Sequence, residues 1–234
     1  VVPVARSADG LEAVAQEIRA AGVGARAVVG DVSQSGDCDR VMVETLETFG
    51  GVDALVNCDG VFAPLSPIAD GDPKAWERSW AVNMLSPVLM AKAALPHLKE
   101  RDGTVINISS EVAVSVVPGW AAYGAAKAAL NHFTRALAAE EPSITAIAFL
   151  PGVVDRAMRA TVRRGEARDV PEEVDAQLTD QSGEEEHPPE VPGCALAVLA
   201  LHAPHEWSGS VLPWNHEEVQ SLVRRYGCLP GMHQ

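Results

Sequence analysis

The sequence predicts an α/β protein in which a doubly wound parallel sheet lies between two layers of helices. Short apolar segments alternate with longer segments whose apolar residues recur every three or four positions, which is typical of strands alternating with helices. The short segments are almost continuously apolar, as expected for parallel strands that helices cover on both faces. Polar residues and glycines follow several of these segments directly, at the edge where such sheets bind ligands.

The length and composition fit one domain of this kind. The chain has 234 residues, of which 47% are hydrophobic and 5% aromatic, so a substantial core must consist mainly of aliphatic side chains. We interpret residues 1–234 as a single domain. Residues 155–192 are polar, acidic and rich in proline, and are predicted to form a lid over the site. Residues 220–234 are predicted to be an irregular tail.

Charge and hydropathy exclude several classes of partner. The net charge is −14, which argues against a nucleic-acid partner because phosphate backbones bind to basic clusters. No apolar run reaches the roughly eighteen residues of a membrane-spanning helix, and no signal peptide is evident. The four cysteines are scattered without a CxxC pair, which favours free thiols in a reducing cytosol. The sequence therefore predicts a cytoplasmic protein with no membrane partner.

The first two strand–helix units lie before residue 52. Apolar runs predict strands over residues 1–5 and 25–29, although Pro3 fits only an edge position or a bulge. Apolar residues at helical spacing predict helices over 11–21 and 38–49. A glycine follows each helix and is expected to end it. For the second helix, either Ser35 or Asp37 is a candidate cap.

The middle of the chain repeats the pattern with a longer helix. Apolar runs predict strands over 52–56 and 103–108. Between them, Asp72 followed by a proline predicts the start of a helix over about 74–99, since proline is favoured at the first helical position. Pro87 lies inside that helix and is expected to kink or divide it.

The second half holds two further units. An alanine-rich segment over 119–140 predicts a long helix, and the apolar run that follows predicts a strand over 144–150. After the predicted lid, apolar residues predict a helix over 191–202 and a last strand over 209–214.

Residues suited to a binding site follow four of the predicted strands. The carboxyl ends of parallel strands meet at one edge of a sheet, so these residues are expected to surround a common ligand. They follow the second to fifth strands and comprise Asp31, Asn57 with Gly60, Ser110, and Pro151 with Gly152.

A tyrosine and a lysine lie one helical turn apart after the fourth strand. Tyr123 and Lys127 are four residues apart in a predicted helix and therefore share a face. A lysine cation held beside a tyrosine is expected to lower the pKa of the phenol and so ease proton transfer. A hydroxyl from Ser109 or Ser110 could hydrogen-bond the same substrate oxygen. This spacing also arises by chance on many helices, and the residues at the strand ends favour the functional interpretation.

Together these features resemble the short-chain dehydrogenase/reductase family, whose fold is Rossmann-like. The resemblance covers residues 1 to about 219. Residues 57–60, Asn-Cys-Asp-Gly, stand where the family has Asn-Asn-Ala-Gly. Asn83 stands where a family helix carries the asparagine of the catalytic tetrad. Ser110 lies thirteen residues before Tyr123, which is the family's usual interval, so Ser110 is favoured over Ser109.

The resemblance implies hydride transfer between a nicotinamide cofactor and a small-molecule carbonyl or alcohol. It implies that Tyr123 exchanges the proton and that Ser110 holds the substrate oxygen. Lys127 would lower the pKa of the tyrosine and hold the ribose, and Asn83 would organise a proton-relaying water. Apolar residues around the site suggest a fairly hydrophobic carbonyl compound: Val112, Ala113, Val153 and Met158. The two long helices are the surfaces that such enzymes use to form homodimers or homotetramers.

The predicted cofactor is NADP(H) rather than NAD(H). An acidic residue near the start of such sites suits the ribose 2′-hydroxyl, whereas an arginine suits a 2′-phosphate. Here Arg6 and Ser7 follow the first strand, and a guanidinium can form a charge-assisted hydrogen bond with phosphate. Asp31 and Val32 are predicted to flank the adenine. The other predicted cofactor contacts are Asn57, Gly60, Tyr123, Lys127, Pro151, Gly152 and Val154.

The sequence departs from the family pattern at its beginning. The family's first strand and the glycine-rich turn that holds the pyrophosphate have no counterpart here. We therefore expect a truncated chain, a gap in the sheet between residues 1–5 and 52–56, and weak cofactor binding. Asp59 and Arg156 also replace the family's usual alanine and threonine.

Two other interpretations remain open at this stage. The chain could be an inactive relative that no longer binds cofactor. It could also be a cofactor-free α/β enzyme with Ser110 as nucleophile, although it lacks a GxSxG sequence and a paired histidine.

Overall fold

A computed structural model describes residues 1–152 and 187–227. The described strands alternate with helices along the chain, as the sequence predicts. In chain order the strands are β1 (Val4–Ala5), β2 (Val28–Val29), β3 (Ala54–Asn57), β4 (Thr104–Ile108), β5 (Thr145–Leu150) and β6 (Val211–Pro213). The helices are α1 (Ala8–Ala20), α2 (Ser35–Phe49), α3 (Pro73–Trp80), α4 (Ser86–Lys99), α5 (Ala121–Glu140), α6 (Glu190–His202) and α7 (Glu217–Tyr226).

Every described strand pair is parallel, which confirms the predicted sheet type. Strands β3, β4, β5 and β6 form one sheet in that order, with Asn57 of β3 opposite Asn107 of β4. Strands β1 and β2 form a separate two-stranded sheet. The sheet is thus broken between β1 and β3, where the sequence predicts a gap. Val56 of β3 is 36% exposed beside this open edge.

Two hydrophobic clusters cover opposite faces of the main sheet and give the predicted three layers. Neighbouring residues in a strand point to opposite faces. Accordingly, Val105 belongs to the cluster under α2 and α4, and Ile106 belongs to the cluster under α6 and α7. Both side chains are fully buried. The largest buried side chains of the second cluster include Phe149 and Leu199.

The long helix predicted over 74–99 is divided. Helix α3 ends at Trp80, a π-helical segment spans Ala81–Leu85, and α4 begins at Ser86. Pro87 has no backbone N–H and disrupts the regular ladder of hydrogen bonds at this junction. The predicted start is confirmed, because the Asp72 side chain accepts a hydrogen bond from the backbone N–H of Lys74 at 3.1 Å.

Two predictions about elements are wrong. Neither Ser35 nor Asp37 caps α2, whose cap position is Gln34. The Asp37 carboxylate instead accepts a hydrogen bond from the Asp31 backbone N–H at 2.7 Å. Residues 220–226 of the predicted irregular tail belong to α7, which begins at Glu217, because Val219 and Val223 lie one turn apart and are buried in the cluster beneath it. Most of the predicted lid and residues 228–234 lie outside the described residues.

No helix within 1–152 or 187–227 is long and apolar enough to cross a membrane.

Gly103, which precedes β4, has no room for a side chain. A Cβ atom there would lie 2.7 Å from Leu98 Cδ2 and 2.8 Å from the Asp53 carbonyl oxygen. We therefore expect Gly103→Ala to lower the free energy of unfolding by about 1–3 kcal/mol, measured by urea denaturation. Gly36→Ala is the matched control, because a Cβ at Gly36 in α2 meets no described atom within 4 Å. That substitution is expected to stabilise by up to about 1 kcal/mol. Equal effects at the two glycines would contradict the packing argument.

Candidate active site

The carboxyl edge of the main sheet gathers most of the predicted site residues. Asn57 ends β3, Ser110 follows β4, and Pro151 follows β5. Helix α5 packs beside this edge and supplies Tyr123 and Lys127. Both side chains point inward from one face of the helix, as their spacing predicts. The Lys127 ammonium donates a hydrogen bond to the carbonyl oxygen of Ile108, the last residue of β4, at 2.7 Å.

Tyr123 is held in its neutral form. Its side chain is 6% exposed, and this burial raises the pKa of the phenol to about 12 although a hydrogen bond with Ser110 opposes the rise. Ser110 is therefore the serine that meets Tyr123. The Ser109 hydroxyl is buried and has no hydrogen-bond partner among the described residues.

Lys127 is buried as deeply as Tyr123. It is 3% exposed, and burial lowers the pKa of its ammonium to about 8, against the attraction of Cys58 and Asp59. The expectation that Lys127 lowers the pKa of Tyr123 stays a prediction for the enzyme with its ligands bound. The Lys127 Nζ lies 5.6 Å from the centroid of the tyrosine ring, and loss of water around the phenol dominates here.

The Asn83 side chain bonds to the segment that follows β3 and to its own helix. It is fully buried in the π-helical segment. Its Oδ1 accepts a hydrogen bond from the Val61 N–H at 3.0 Å, and its Nδ2 donates to the Val61 carbonyl at 2.8 Å and to Ser79 Oγ at 3.1 Å. The side-chain amide is thus occupied by protein groups. It fixes the segment after β3, and its predicted role in organising a water stays a prediction.

A buried chain of polar side chains ties α5 to the sheet. Asn57 Nδ2 donates to Asn107 Oδ1 at 2.8 Å, and Asn107 Nδ2 donates to Thr134 Oγ1 at 2.9 Å. The Asn57 side chain therefore bonds to the protein interior through Nδ2, and its contact with the cofactor stays a prediction. Asn107 and Thr134 were not identified from the sequence, although an asparagine inside the apolar strand β4 is a visible signal.

Two aromatic residues beside Tyr123 were also missed. The Phe62 ring lies edge-on to the Tyr123 ring with centroids 4.8 Å apart, and Trp120 lies 5.9 Å from the same ring. Trp120 precedes Tyr123 by three residues, so helical spacing could have indicated it. Phe62 comes from the segment after β3, and nothing in its local sequence points to Tyr123.

The residues predicted for the adenosine end lie at the ends of β1 and β2. Arg6 and Ser7 are exposed at the start of α1, and Ser7 occupies the cap position without a side-chain cap bond. The Asp31 carboxylate accepts hydrogen bonds from the Ser33 N–H and hydroxyl at 3.0 and 2.7 Å. These bonds lower the pKa of Asp31, and the charge of Arg6 adds to the effect. Val32 is buried in the core.

The remaining predicted contacts are glycines and residues around β5. Gly60 and Pro151 are half-buried. Gly152 has a φ of 71°, a conformation that favours glycine. Val154 and Arg156 lie outside the described residues, as do Val153 and Met158.

Comparison with known proteins identifies relatives with this architecture. A family profile described as short chain dehydrogenase matches residues 1–167. An uncharacterised oxidoreductase of Schizosaccharomyces pombe is 40% identical over 137 residues, which cover 58% of this chain and 54% of the relative. A benzil reductase ((S)-benzoin forming) of Saccharomyces cerevisiae is 33% identical over 232 residues, covering 94% of this chain and 87% of the relative.

A solved structure gives the same result for the fold. A short chain dehydrogenase/reductase from Saccharomyces cerevisiae superposes with a TM-score of 0.85 at 31% identity, covering 95% of this chain and 88% of that chain. Family profile, relatives and fold agree, and the chain therefore belongs to the short-chain dehydrogenase family, as an NAD(P)-dependent short-chain dehydrogenase/reductase.

Proposed function

We propose that this oxidoreductase reduces a small-molecule carbonyl compound to an alcohol, with NADP(H) preferred over NAD(H). The observation that carries the proposal is the buried Tyr123, which is hydrogen-bonded with Ser110 and packed beside Lys127 at the sheet edge. A neutral phenol is a proton donor, which is what reduction of a carbonyl requires. A relative named benzil reductase supports the same direction and class of substrate.

The residues present fit two parts of a nicotinamide dinucleotide. An ammonium carries three donors, and Ile108 accepts one from Lys127, so two remain for the ribose hydroxyls. Arg6 and Ser7 are exposed for a 2′-phosphate. For the pyrophosphate the fit is poorer, because in the described part of the chain no helix opens from a glycine-rich turn. When bound, the cofactor supplies the hydride.

The proton is supplied by the chain itself. Ser110 and Tyr123 both donate hydrogen bonds to the carbonyl oxygen, and Tyr123 passes its proton to that oxygen as the carbonyl carbon gains hydride. The resulting phenolate must be reprotonated before the next turnover. Lys127, whose pKa burial lowers to about 8, releases a proton near neutral pH and restores the phenol through an intervening hydroxyl or water.

Asn83 acts in this scheme as a positioning residue. Its bonds to Val61 fix the segment that carries Phe62, and Phe62 packs on Tyr123.

The proposed preference for NADP(H) rests on Arg6. Two nearby carboxylates reduce the attraction of Arg6 for a phosphate group. Arg6 is close enough to contribute to the lowered pKa of Asp31 and to oppose the rise that desolvation causes in the pKa of Asp59. Two acidic groups around one arginine weaken its attraction for phosphate. Even so, a guanidinium beside the exposed Ser7 hydroxyl suits a 2′-phosphate better than a bare ribose.

Substitution of Arg6 tests this preference. We expect Arg6→Ala to raise KM for NADPH by roughly ten- to a hundredfold, since a hydrogen bond to a charged group contributes about 1.5–3 kcal/mol. The KM for NADH should change little. Arg26→Ala is the control, because Arg26 is exposed and pairs with Glu44 instead. Equal changes for both cofactors would contradict a role in recognising the 2′-phosphate.

The function itself is tested by a substrate screen. Purified protein is supplied with NADPH or NADH and with aromatic and aliphatic ketones, diketones and aldehydes, and cofactor oxidation is followed by absorbance. We expect turnover of hydrophobic carbonyl compounds, faster with NADPH. Turnover of the alcohols alone, or of no compound with either cofactor, would contradict the proposal.

A second candidate is an inactive relative that no longer binds cofactor. The break between β1 and β3 in the described sheet favours it. Calorimetric titration of the folded protein with NADPH distinguishes the two candidates. Binding at micromolar concentration favours the enzyme, and no binding at millimolar concentration favours the inactive relative.

We also propose a cytoplasmic homo-oligomer. An open groove of about 670 Å³ runs along the outer side of α5, and exposed apolar side chains flank it. They include Ile68, Val114 and Val116. The exposed thiol of Cys58 suits a reducing compartment. Light scattering after gel filtration measures the oligomeric state, and a monomer at all concentrations would contradict this part of the proposal.

A further inference from the structure

The hydrogen bonds that join Asn57, Asn107 and Thr134 all run in one direction. The Thr134 hydroxyl donates to the carbonyl oxygen of Leu130, one turn earlier in α5, at 2.8 Å. A hydroxyl has a single hydrogen, so Thr134 can only accept from Asn107, whose Nδ2 lies 2.9 Å from the Thr134 Oγ1. The Asn107 Oδ1 is therefore turned towards Asn57, which donates to it through Nδ2 at 2.8 Å.

The reverse direction would contain one hydrogen bond fewer. Thr134 would then donate to Asn107, Asn107 would donate to Asn57, and the bond from Thr134 to the carbonyl oxygen of Leu130 would be lost. Asn107 and Thr134 have no exposed surface, so water does not replace the lost bond. One net hydrogen bond changes a population by roughly three- to tenfold. The observed direction is therefore the more stable one.

Asn57 is the member of this chain that reaches the carboxyl edge of the sheet. It is the last residue of β3 and remains 8% exposed, whereas Asn107 and Thr134 are fully buried. Its Nδ2 is turned inward, and no donor among the described residues bonds its Oδ1. This oxygen is not enclosed in the described structure, unlike the unpaired Ser109 Oγ and Asn131 Oδ1. A ligand at the edge can therefore reach it.

We propose that Asn57 presents a hydrogen-bond acceptor to the bound dinucleotide, and that Asn107 and Thr134 are positioning residues that fix this polarity. An acceptor selects a ligand group that carries a hydrogen, which in a nicotinamide dinucleotide is the adenine amino group or a ribose hydroxyl. The inference rests on the proposed function and deepens it, because it states which kind of ligand atom Asn57 recognises.

Exchange of side-chain amide hydrogens with water tests the direction in the protein alone. In the observed direction the Asn57 Nδ2 is bonded to Asn107 and protected, whereas in the reverse direction it faces water. Thr134→Val removes both bonds of the hydroxyl and should populate the two directions about equally. We expect exchange at the Asn57 Nδ2, followed by nitrogen-15 NMR, to become roughly two- to fivefold faster.

Thr134→Ser is the matched control for the exchange experiment. It keeps the hydroxyl that donates to Leu130 and should exchange like the parent protein. The Asn57 signal is identified by its disappearance in Asn57→Leu. Equal exchange in Thr134→Val and in the parent overturns the proposed role of Thr134.

Calorimetric titration with dinucleotide analogues tests the ligand contact. The parent is titrated with NADP⁺, with its hypoxanthine analogue, which lacks the adenine amino group, and with analogues that lack one ribose hydroxyl. We expect one of these analogues to bind roughly three- to tenfold more weakly than NADP⁺, and which one it is identifies the donor. In Asn57→Leu this difference should disappear. If circular dichroism shows that Asn57→Leu is unfolded, Thr134→Val is used instead, with the difference reduced about twofold.

The outcomes separate this inference from the proposed function. If the parent binds NADP⁺ and Asn57→Leu keeps the full difference between NADP⁺ and its analogues, the contact is overturned while carbonyl reduction still stands. If the parent binds no dinucleotide, the proposed function and the contact both fail. The exchange experiment needs no ligand and decides in either case whether Thr134 fixes the direction of the chain.

Discussion

Replacement of Tyr123 by phenylalanine is expected to lower kcat for carbonyl reduction on the order of 10²- to 10⁴-fold, the usual contribution of a positioned general acid. The substitution removes only the hydroxyl and its hydrogen bond with Ser110. The ring contacts with Phe62 and Trp120 remain, so the fold and the affinity for cofactor should be preserved. Initial rates with a carbonyl substrate found in the screen, together with calorimetric cofactor binding, measure the two effects separately.

Tyr226→Phe is the control for this result. It makes the same chemical change on α7, at a side chain that is 44% exposed, and should leave the rate unchanged. If Tyr123→Phe retained full activity, Tyr123 would not be the proton donor, and the mechanism proposed above would be wrong.

Lys127→Met is expected to change activity and stability in opposite directions. Activity should fall by at least about a hundredfold, because the ammonium that restores the proton of Tyr123 is lost. Stability at neutral pH should rise by roughly 1–3 kcal/mol, because burial lowers the pKa of Lys127 to about 8 and the fold therefore bears the cost of a poorly hydrated charge. Methionine has a similar length and carries no charge. Urea denaturation and initial rates measure the two changes.

The pH dependence of stability provides a sharper check. The ordinary pKa of lysine is 10.5, and that of folded Lys127 is about 8. Between these values the unfolded chain binds more protons at this residue than the folded chain, so the free energy of unfolding rises with pH across that window. Lys127→Met should abolish this rise. Lys92→Met, on the exposed face of α4, should retain it. A parent protein whose stability is flat between pH 8 and 10.5 would contradict the argument.

Tyrosine burial acts in the opposite sense at higher pH. The pKa of Tyr123 is raised from 10 to about 12. Between these values the folded chain binds more protons at this residue, so stability should fall as pH rises. The pH range of the Lys127 effect overlaps little with that of the Tyr123 effect. One series of denaturation curves at increasing pH can therefore measure both changes in stability.

Periodicity and strand-end residues predicted the framework of the site correctly. The spacing of Tyr123 and Lys127 placed both on one inward face of α5, and the interval to Ser110 selected the serine that hydrogen-bonds the tyrosine. Such features depend on regular local geometry. The pKa of Tyr123 could not be predicted in this way, because Phe62 covers its ring from a segment about sixty residues away in sequence.

The hydrogen-bond partners of the polar side chains could likewise not be predicted from local sequence patterns. Asn83 and Asn57 matched the family by position, but their amides bond to Val61 and Asn107. Which partner an amide meets depends on how helix and strand ends come together in three dimensions. The irregular tail was mispredicted because two valines, Val219 and Val223, are too short a pattern to outweigh the polar residues around them.

The buried hydrogen bonds that join Asn57, Asn107 and Thr134 affect which substitutions this protein can accept during evolution. This chain of bonds ties α5 to β3 and β4 through buried side chains, whereas Phe62, Val112 and Val117 approach Tyr123 from the segments that connect strands and helices. The loops can therefore be exchanged one residue at a time while the distance between Tyr123 and the strand ends stays the same. Hydrogen exchange should be slow at Thr134 and fast in the loops.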